Sequence, residues 1–308
     1  MNNFDTPILI IGFNRFDTIE RVFMSVREVR PEKLFIALDG PRDDVLSDKE
    51  NCDKVKKVFT KIDWDCEVKT LYRNKNMGCD EAVPDSISWF FSNVEEGIIL
   101  EDDCLPSRSF FSYCKDLLAK YRDNDKVMMI SGNNFISDYK FSEDSFFFSK
   151  YAFIWGWATW RRAWEKFDNS MKSYPSFKKN GGFRDYYPNI LDRFFWRTGF
   201  ENKYNGYSQG WDMKWNYALA YYNGLDVIPS TNLVRNIGME SDATHTKKYD
   251  KRMDIPTYDL DFPLKYPDNI EECKIYDKKI FKRNFLSTVN VYTILKNYRN
   301  ILIKKIKR

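Results

Sequence analysis

Three consecutive acids, Glu101, Asp102 and Asp103, follow directly on the apolar run Gly97-Ile98-Ile99-Leu100. Carboxylates at a strand end supply the oxygen ligands that a hard divalent cation requires, and such a cation can also hold a diphosphate. Successive side chains of a strand leave on opposite faces, so acids 101 and 103 share one side and Asp102 takes the other unless the chain turns there. A solvated acidic turn, or acids set before the helix that begins near Ser107, accounts for the same triplet. Two further carboxylates stand at turns: Asp39 in Asp39-Gly40-Pro41-Arg42, and Asp212 after Gly210-Trp211. Asp39-Gly40 also reads as a plain turn at a strand end, and Asp212 as a first-turn acid favoured by the helix dipole. Arg15 and Arg73 are candidate anion contacts or solvated charges. His245, the single histidine, sits in a polar segment, Asp242-Ala243-Thr244-His245-Thr246, of the kind found in exposed loops.

These residues need elements to position them. Apolar runs at Pro7–Gly12, Leu34–Leu38, Val68–Leu71, Gly97–Leu100 and Val127–Ile130 alternate with helical patterns at Thr18–Glu28, Glu81–Phe91 and Ser109–Tyr121. Alternation of this kind predicts an α/β fold, with a mostly parallel sheet flanked by helices. Ligands of such sheets bind at the carboxyl ends of the strands. Those ends carry Asn14-Arg15, Asp39-Gly40-Pro41-Arg42, Arg73-Asn74 and the acidic triplet. From about Phe135 the pattern changes to short aromatic pieces, with helices expected at Ala158–Phe167, Tyr186–Arg197 and Gln209–Tyr222. After a loop at Tyr249–Pro267, apolar residues at Val291, Ile294, Leu295, Tyr298, Ile301 and Leu302 form one face of a predicted terminal helix.

Composition narrows the class. The 308 residues are 43% hydrophobic and 31% charged, with 13 Gly and 11 Pro, which excludes collagen-like, low-complexity and wholly disordered chains. The six cysteines form no C-x-x-C pair, so neither a disulfide scaffold nor a zinc site is expected. No apolar run approaches about 18 residues, and the opening MNNFDTPILIIGFNR lacks a basic leader and a cleavage site. A cytoplasmic location is the expectation. The net charge of +4 is uneven: residues 289–308 hold six Lys or Arg and no acid, leaving the other 288 residues at −2. That distribution argues against nucleic acid as a partner and suits a basic amphipathic tail, either packed on the domain or lying on the cytoplasmic face of an anionic membrane.

The segment Asn76-Met77-Gly78-Cys79 through Asp103-Cys104-Leu105-Pro106 resembles nucleotide-sugar glycosyltransferases of the GT-A fold. Its Glu-Asp-Asp form is similar to that of the N-acetylglucosaminyltransferase I family and related bacterial sugar transferases. Further pieces agree in order: Gly12-Phe13-Asn14-Arg15, Asp39-Gly40-Pro41-Arg42, Trp155-Gly156-Trp157, Gly210-Trp211-Asp212, and Asn236-Ile237-Gly238 running into Asp242–Thr246. The resemblance covers residues 5–247. It implies a nucleotide-sugar-binding half (1–134), an acceptor and catalytic half (135–247) and a C-terminal extension (248–308).

By that resemblance, Asp103 would ligate Mn2+ (or Mg2+), with His245 closing the site. Glu101 and Asp102 would accept hydrogen bonds from ribose and donor-sugar hydroxyls. Asn14, Arg15 and Asp39 would line the uracil and ribose end, and Arg73 and Gly78 the path of the diphosphate or base. Asp212 matches the catalytic base, and Trp211 with Trp157 would wall the sugar. The implied activity is inverting transfer of a sugar, GlcNAc first among candidates, from a UDP-sugar to a hydroxyl of a surface or lipid-linked glycan. A sugar nucleotidyltransferase is a competing reading, although Gly12-Phe13-Asn14-Arg15 is not a Gly-rich phosphate loop. A non-catalytic glycan- or membrane-binding protein on the same scaffold is another.

Overall fold

The computed structural model describes residues 4–238 and 255–286. His245 and the basic segment 289–308 lie outside the described residues. The chain runs β1 (Ile8–Gly12), α1 (Phe16–Val29), β2 (Lys33–Leu38), α2 (Leu46–Val58), β3 (Glu67–Tyr72), α3 (Cys79–Phe91), β4 (Glu96–Glu101), β5 (Cys104–Pro106), α4 (Arg108–Tyr121) and β6 (Val127–Ser131). It continues with β7 (Phe146–Ser149), β8 (Trp157–Trp160), α5 (Arg161–Trp164), α6 (Tyr174–Lys179), α7 (Gly182–Tyr186), α8 (Ile190–Tyr204), α9 (Asp212–Tyr222), β9 (Leu225–Pro229), β10 (Val234–Asn236) and α10 (Lys274–Ile280). One sheet has the order β3-β2-β1-β4-β8-β6-β9-β7, and β5 pairs with β10 in a separate ribbon. β3, β2, β1 and β4 are mutually parallel, β8 runs antiparallel to both β4 and β6, and β9 returns parallel to β6. This is the expected α/β class, with a Rossmann-like parallel half.

The central strands are continuous apolar runs because helices cover both faces of the sheet. Ile8 and Ile10 of β1 join a core under α1, α2 and α4. Leu9 and Ile11 join a second core under α3, α5 and α9. A third core is largely aromatic: Phe177, Phe183, Tyr187, Trp196 and Phe200 pack with Tyr276 and Phe281 from the α10 region. The aromatic density after Ser145 is therefore mostly packing. Residues 255–286 are tied in by Cys273, whose N–H donates to the Phe148 carbonyl at 2.7 Å, and by Asp259, which accepts from the Ser109 N–H at 2.9 Å.

Two helical expectations need correction. Ala158–Phe167 is not one helix: its first residues are strand β8, inserted between β4 and β6, and only Arg161–Trp164 is helical. The reason is a two-residue period, for Ala158 and Trp160 enter the first core while Trp157 enters the second. Tyr186–Arg197 is interrupted before Pro188, since a residue ahead of proline is pushed out of helical geometry. α8 restarts at Ile190 with the Asn189 side chain accepting from the Leu191 N–H at 2.9 Å. Among the described residues, no helix is long and apolar enough to cross a membrane.

Candidate functional site

The parallel register sets Gly12 beside Leu38 and Ile11 beside Glu101, so the strand ends fall level and their loops meet. Between these loops, the start of α3 and residues 209–212 lies a cleft of about 630 Å³. It brings together Asn14, Arg15, Asp39, Arg73, Gly78, Glu101, Asp102, Asp103, Trp211 and Asp212 from the expected set.

The acidic triplet turns around one arginine. Arg15 Nη2 donates to Asp102 Oδ1 and, at 3.0 Å, to Asp103 Oδ2, and the Phe13 N–H donates to Asp102 Oδ2 at 3.3 Å. Asp102 is thereby locked under the β1 loop, while Asp103 stays at the cleft surface. The β5–β10 ribbon carries Gly238 against this pair: a Cβ there would stand 2.6 Å from Asp103 Oδ2 and 2.8 Å from Arg15 Nη1. Glu101 is half-buried in the cleft, and desolvation together with the charges of Asp103 and Asp102 pushes its carboxyl up to about 8.

Several predicted contacts are already committed within the protein. Asp39 accepts from the N–H groups of Gly40, Met77 and Gly78 at 2.9–3.2 Å and from the Asn76 amide at 2.9 Å. Both its oxygens are engaged, so it clamps the 76–78 loop rather than offering a free acceptor to a base. Arg73 reaches Asp85 at 2.5 Å, Ser86 at 3.2 Å and the Ala82 carbonyl at 3.4 Å, anchoring α3 from beneath the cleft. Asn14 donates to Asp48 Oδ1 at 2.7 Å, and Arg42 holds the same carboxylate. Trp157 is fully buried in β8 and is not a wall of the cleft; its ring packs 6.0 Å behind that of Trp211. Gly156 turns the chain with φ 66°, and the ring on the other side of that turn, Trp155, is the one lining the cleft.

Asp212 is the first residue of α9 and faces the same cleft. Gly210 precedes it with φ 106°, and a Cβ at 210 would lie 2.7 Å from Asp212 Oδ1, so only glycine lets the carboxylate sit as it does. Burial raises the Asp212 carboxyl above the usual carboxylate range; backbone N–H groups at the helix start and Lys203 oppose the shift, and Asp80 adds to it. Asp80 and Lys203 were not signalled by the sequence. Lys203 Nζ lies 3.1 Å from Asp80 Oδ2, and Asp80 Oδ1 accepts from the Gly210 N–H at 2.6 Å. Their pairing joins α3 to α8, across a separation that no local motif spans.

Among the described residues, no group of three His, Cys, Asp or Glu side chains is arranged to hold a metal by itself. The donor set nonetheless fits a divalent cation bound mainly by a ligand's phosphates and water, as Mg2+ commonly is. Asp103 offers a hard oxygen at the cleft, beside the carboxyl groups of Glu101 and Asp102.

No family model and no curated protein matches the chain. Among solved structures, HddC from Yersinia pseudotuberculosis aligns with 41% of this chain and 56% of its own, at 11% identity and a TM-score of 0.28. This chain thus spans little more than half of that protein's length. The 4-diphosphocytidyl-2C-methyl-D-erythritol synthase of Anaerococcus prevotii aligns with 56% of this chain and 85% of its own, at 10% identity and a TM-score of 0.34. A cytidylyltransferase from Leptospira borgpetersenii aligns with 58% and 72%, at 12% identity and a TM-score of 0.32. Similarity this slight says nothing of chemistry, which the residues of the cleft must carry.

Proposed function

We propose that the chain is a metal-dependent inverting glycosyltransferase of the GT-A type, taking a sugar from a UDP donor, UDP-GlcNAc first among candidates, to a hydroxyl of a surface or lipid-linked glycan. One observation carries the reading: Asp212, delivered by α9, faces the same cleft as the Glu101–Asp103 triplet at the end of β4. A base and an anion-side acid cluster across one cavity are what displacement of a diphosphate by a hydroxyl requires.

In this reading Asp103, with His245, which lies outside the described residues, would hold Mn2+ or Mg2+, and the metal would supply Lewis acidity toward the leaving diphosphate. Asp212 removes the proton of the acceptor hydroxyl as that oxygen attacks the anomeric carbon from the face opposite the diphosphate. Burial raises its pKa, which makes the carboxylate a stronger base than an exposed one. Glu101, free of the Arg15 lock that holds Asp102, is the acid left to bind donor hydroxyls. Trp211 and Trp155 form the apolar wall, in place of the buried Trp157. A cytoplasmic location, with residues 289–308 on an anionic membrane, completes the proposal; co-sedimentation with anionic against neutral vesicles checks that part.

Calorimetry with UDP-, GDP- and CMP-sugars, with and without Mn2+, tests the donor site. The proposal expects one UDP-sugar to bind the wild type only with metal, and Asp103→Ala to abolish that binding. No binding by any donor to the folded, metal-supplied protein would refute it and favour a non-catalytic scaffold.

A further inference from the structure

Lys203 is a lysine with 3% of its side chain exposed, and its ammonium ties α3 to the segment that leads to Asp212. Its ammonium lies 3.1 Å from Asp80 Oδ2, in the first turn of α3, and 3.2 Å from the Ser208 carbonyl, while Asp80 Oδ1 takes the Gly210 N–H at 2.6 Å. A lysine so buried requires its paired charge, because stranding an ammonium away from water is costly. Segment 205–210 therefore cannot leave α3 without exposing that cost. Gly210 passes the constraint on, since Asp212 Oδ1 fills the space a Cβ at 210 would take. On its other side α3 begins just after Gly78, whose N–H is held by Asp39 at 3.0 Å.

We propose that Asp80 and Lys203 are a positioning pair for Asp212: an ion bridge from a buried lysine to a half-buried aspartate that fastens segment 205–210 to the first turn of α3 and so fixes the Asp212 carboxylate relative to the donor side of the cleft. The role given to Asp212 rests on the proposed function; the mechanical coupling does not. The charged groups facing Asp212 are Lys203 from α8, Asp80 from α3 and Glu101 from β4. Lys203 is the cation among them, so its loss disfavours the ionised carboxylate.

The test uses the full chain as wild type, Asp80→Ala, Lys203→Met and the conservative Lys203→Arg. Backbone amide exchange over residues 205–212, which needs no activity, should speed up about tenfold or more in the first two variants and stay near wild type in Lys203→Arg. Transfer kcat should fall about 10- to 100-fold, with donor KM within about twofold, because a displaced base costs rate rather than donor affinity. In Lys203→Met the acid limb of kcat should move to higher pH, a change that mere loosening of a loop would not produce. Should Lys203→Met fail to fold, Asp80→Ala carries the exchange and kcat readings, with Lys203→Arg as the rescue. Unchanged exchange over 205–212 in Asp80→Ala, or an unchanged kcat with the exchange accelerated, overturns the proposal. A wild type that transfers no sugar refutes the transferase reading instead, and the exchange data then decide the bridge alone.

Discussion

Asp39 and Asp212 are carboxylates at the edge of the same cleft, and their surroundings give them different work. Asp39 is saturated by donors from the 76–78 loop, whereas Asp212 is held by burial and a helix start with its pKa raised. Nothing in the local sequence separates the two cases: each follows or precedes a glycine at a turn, and only the residues brought from elsewhere distinguish a clamp from a base. The tryptophans show the same limit. Trp155 and Trp157 flank one glycine, and the strand period of Trp157-Ala158-Thr159-Trp160 decides which of them is interior. Trp155→Ala should weaken binding of a UDP-sugar about tenfold while costing less stability than Trp157→Ala, since Trp155 is only half-buried. Trp157→Ala should cost about 3–5 kcal/mol of stability. Paired calorimetry and urea unfolding check both, and equal destabilisation by the two variants would contradict the assignment.

The elements were legible where periodicity and strand ends agreed. β1, β2 and β4 read directly as buried parallel strands, and their register alone sets Gly12 beside Leu38 and Ile11 beside Glu101. α5 was overread because aromatic spacing in a short central strand imitates a helix until its neighbours are known. α10 carries a buried acid that no pattern announced. Burial raises Asp277 to about 7, against the pull of the Ser149 hydroxyl at 2.5 Å and the Lys150 N–H at 3.3 Å. In an unfolded chain the same carboxyl titrates near 4. Between those values the folded state keeps a proton that the unfolded state has lost, so stability falls as pH rises from about 4 to about 7. Asp277→Asn cannot ionise and should flatten this dependence, an effect on the order of 2–4 kcal/mol between pH 4 and 8. Urea midpoints that fall in parallel for both proteins over that range would show that Asp277 does not titrate in the folded state.

At the scale of the whole molecule, the two halves of the chain share one sheet, and the cleft lies where their loops meet. β8 and β6 extend the parallel half edge to edge, α9 drops Asp212 beside α3, and the β5–β10 ribbon returns Gly238 to the acidic triplet. This convergence explains why the residue types of the site could be named from sequence while their partners could not. Asp80 and Lys203 are joined only by the fold, as are Arg15 and the triplet it bridges.

The most direct test follows the nucleotide product when the chain is given Mn2+, a UDP-sugar and a glycan acceptor, with and without added pyrophosphate, in the wild type and Asp212→Asn. Glycosyl transfer yields UDP and a lengthened glycan without pyrophosphate; Asp212→Asn should bind the donor as the wild type does and release UDP about 10²- to 10⁴-fold more slowly. Formation of UTP only when pyrophosphate is supplied, with no UDP and no glycan product, would contradict the account and make the chain a nucleotidyltransferase.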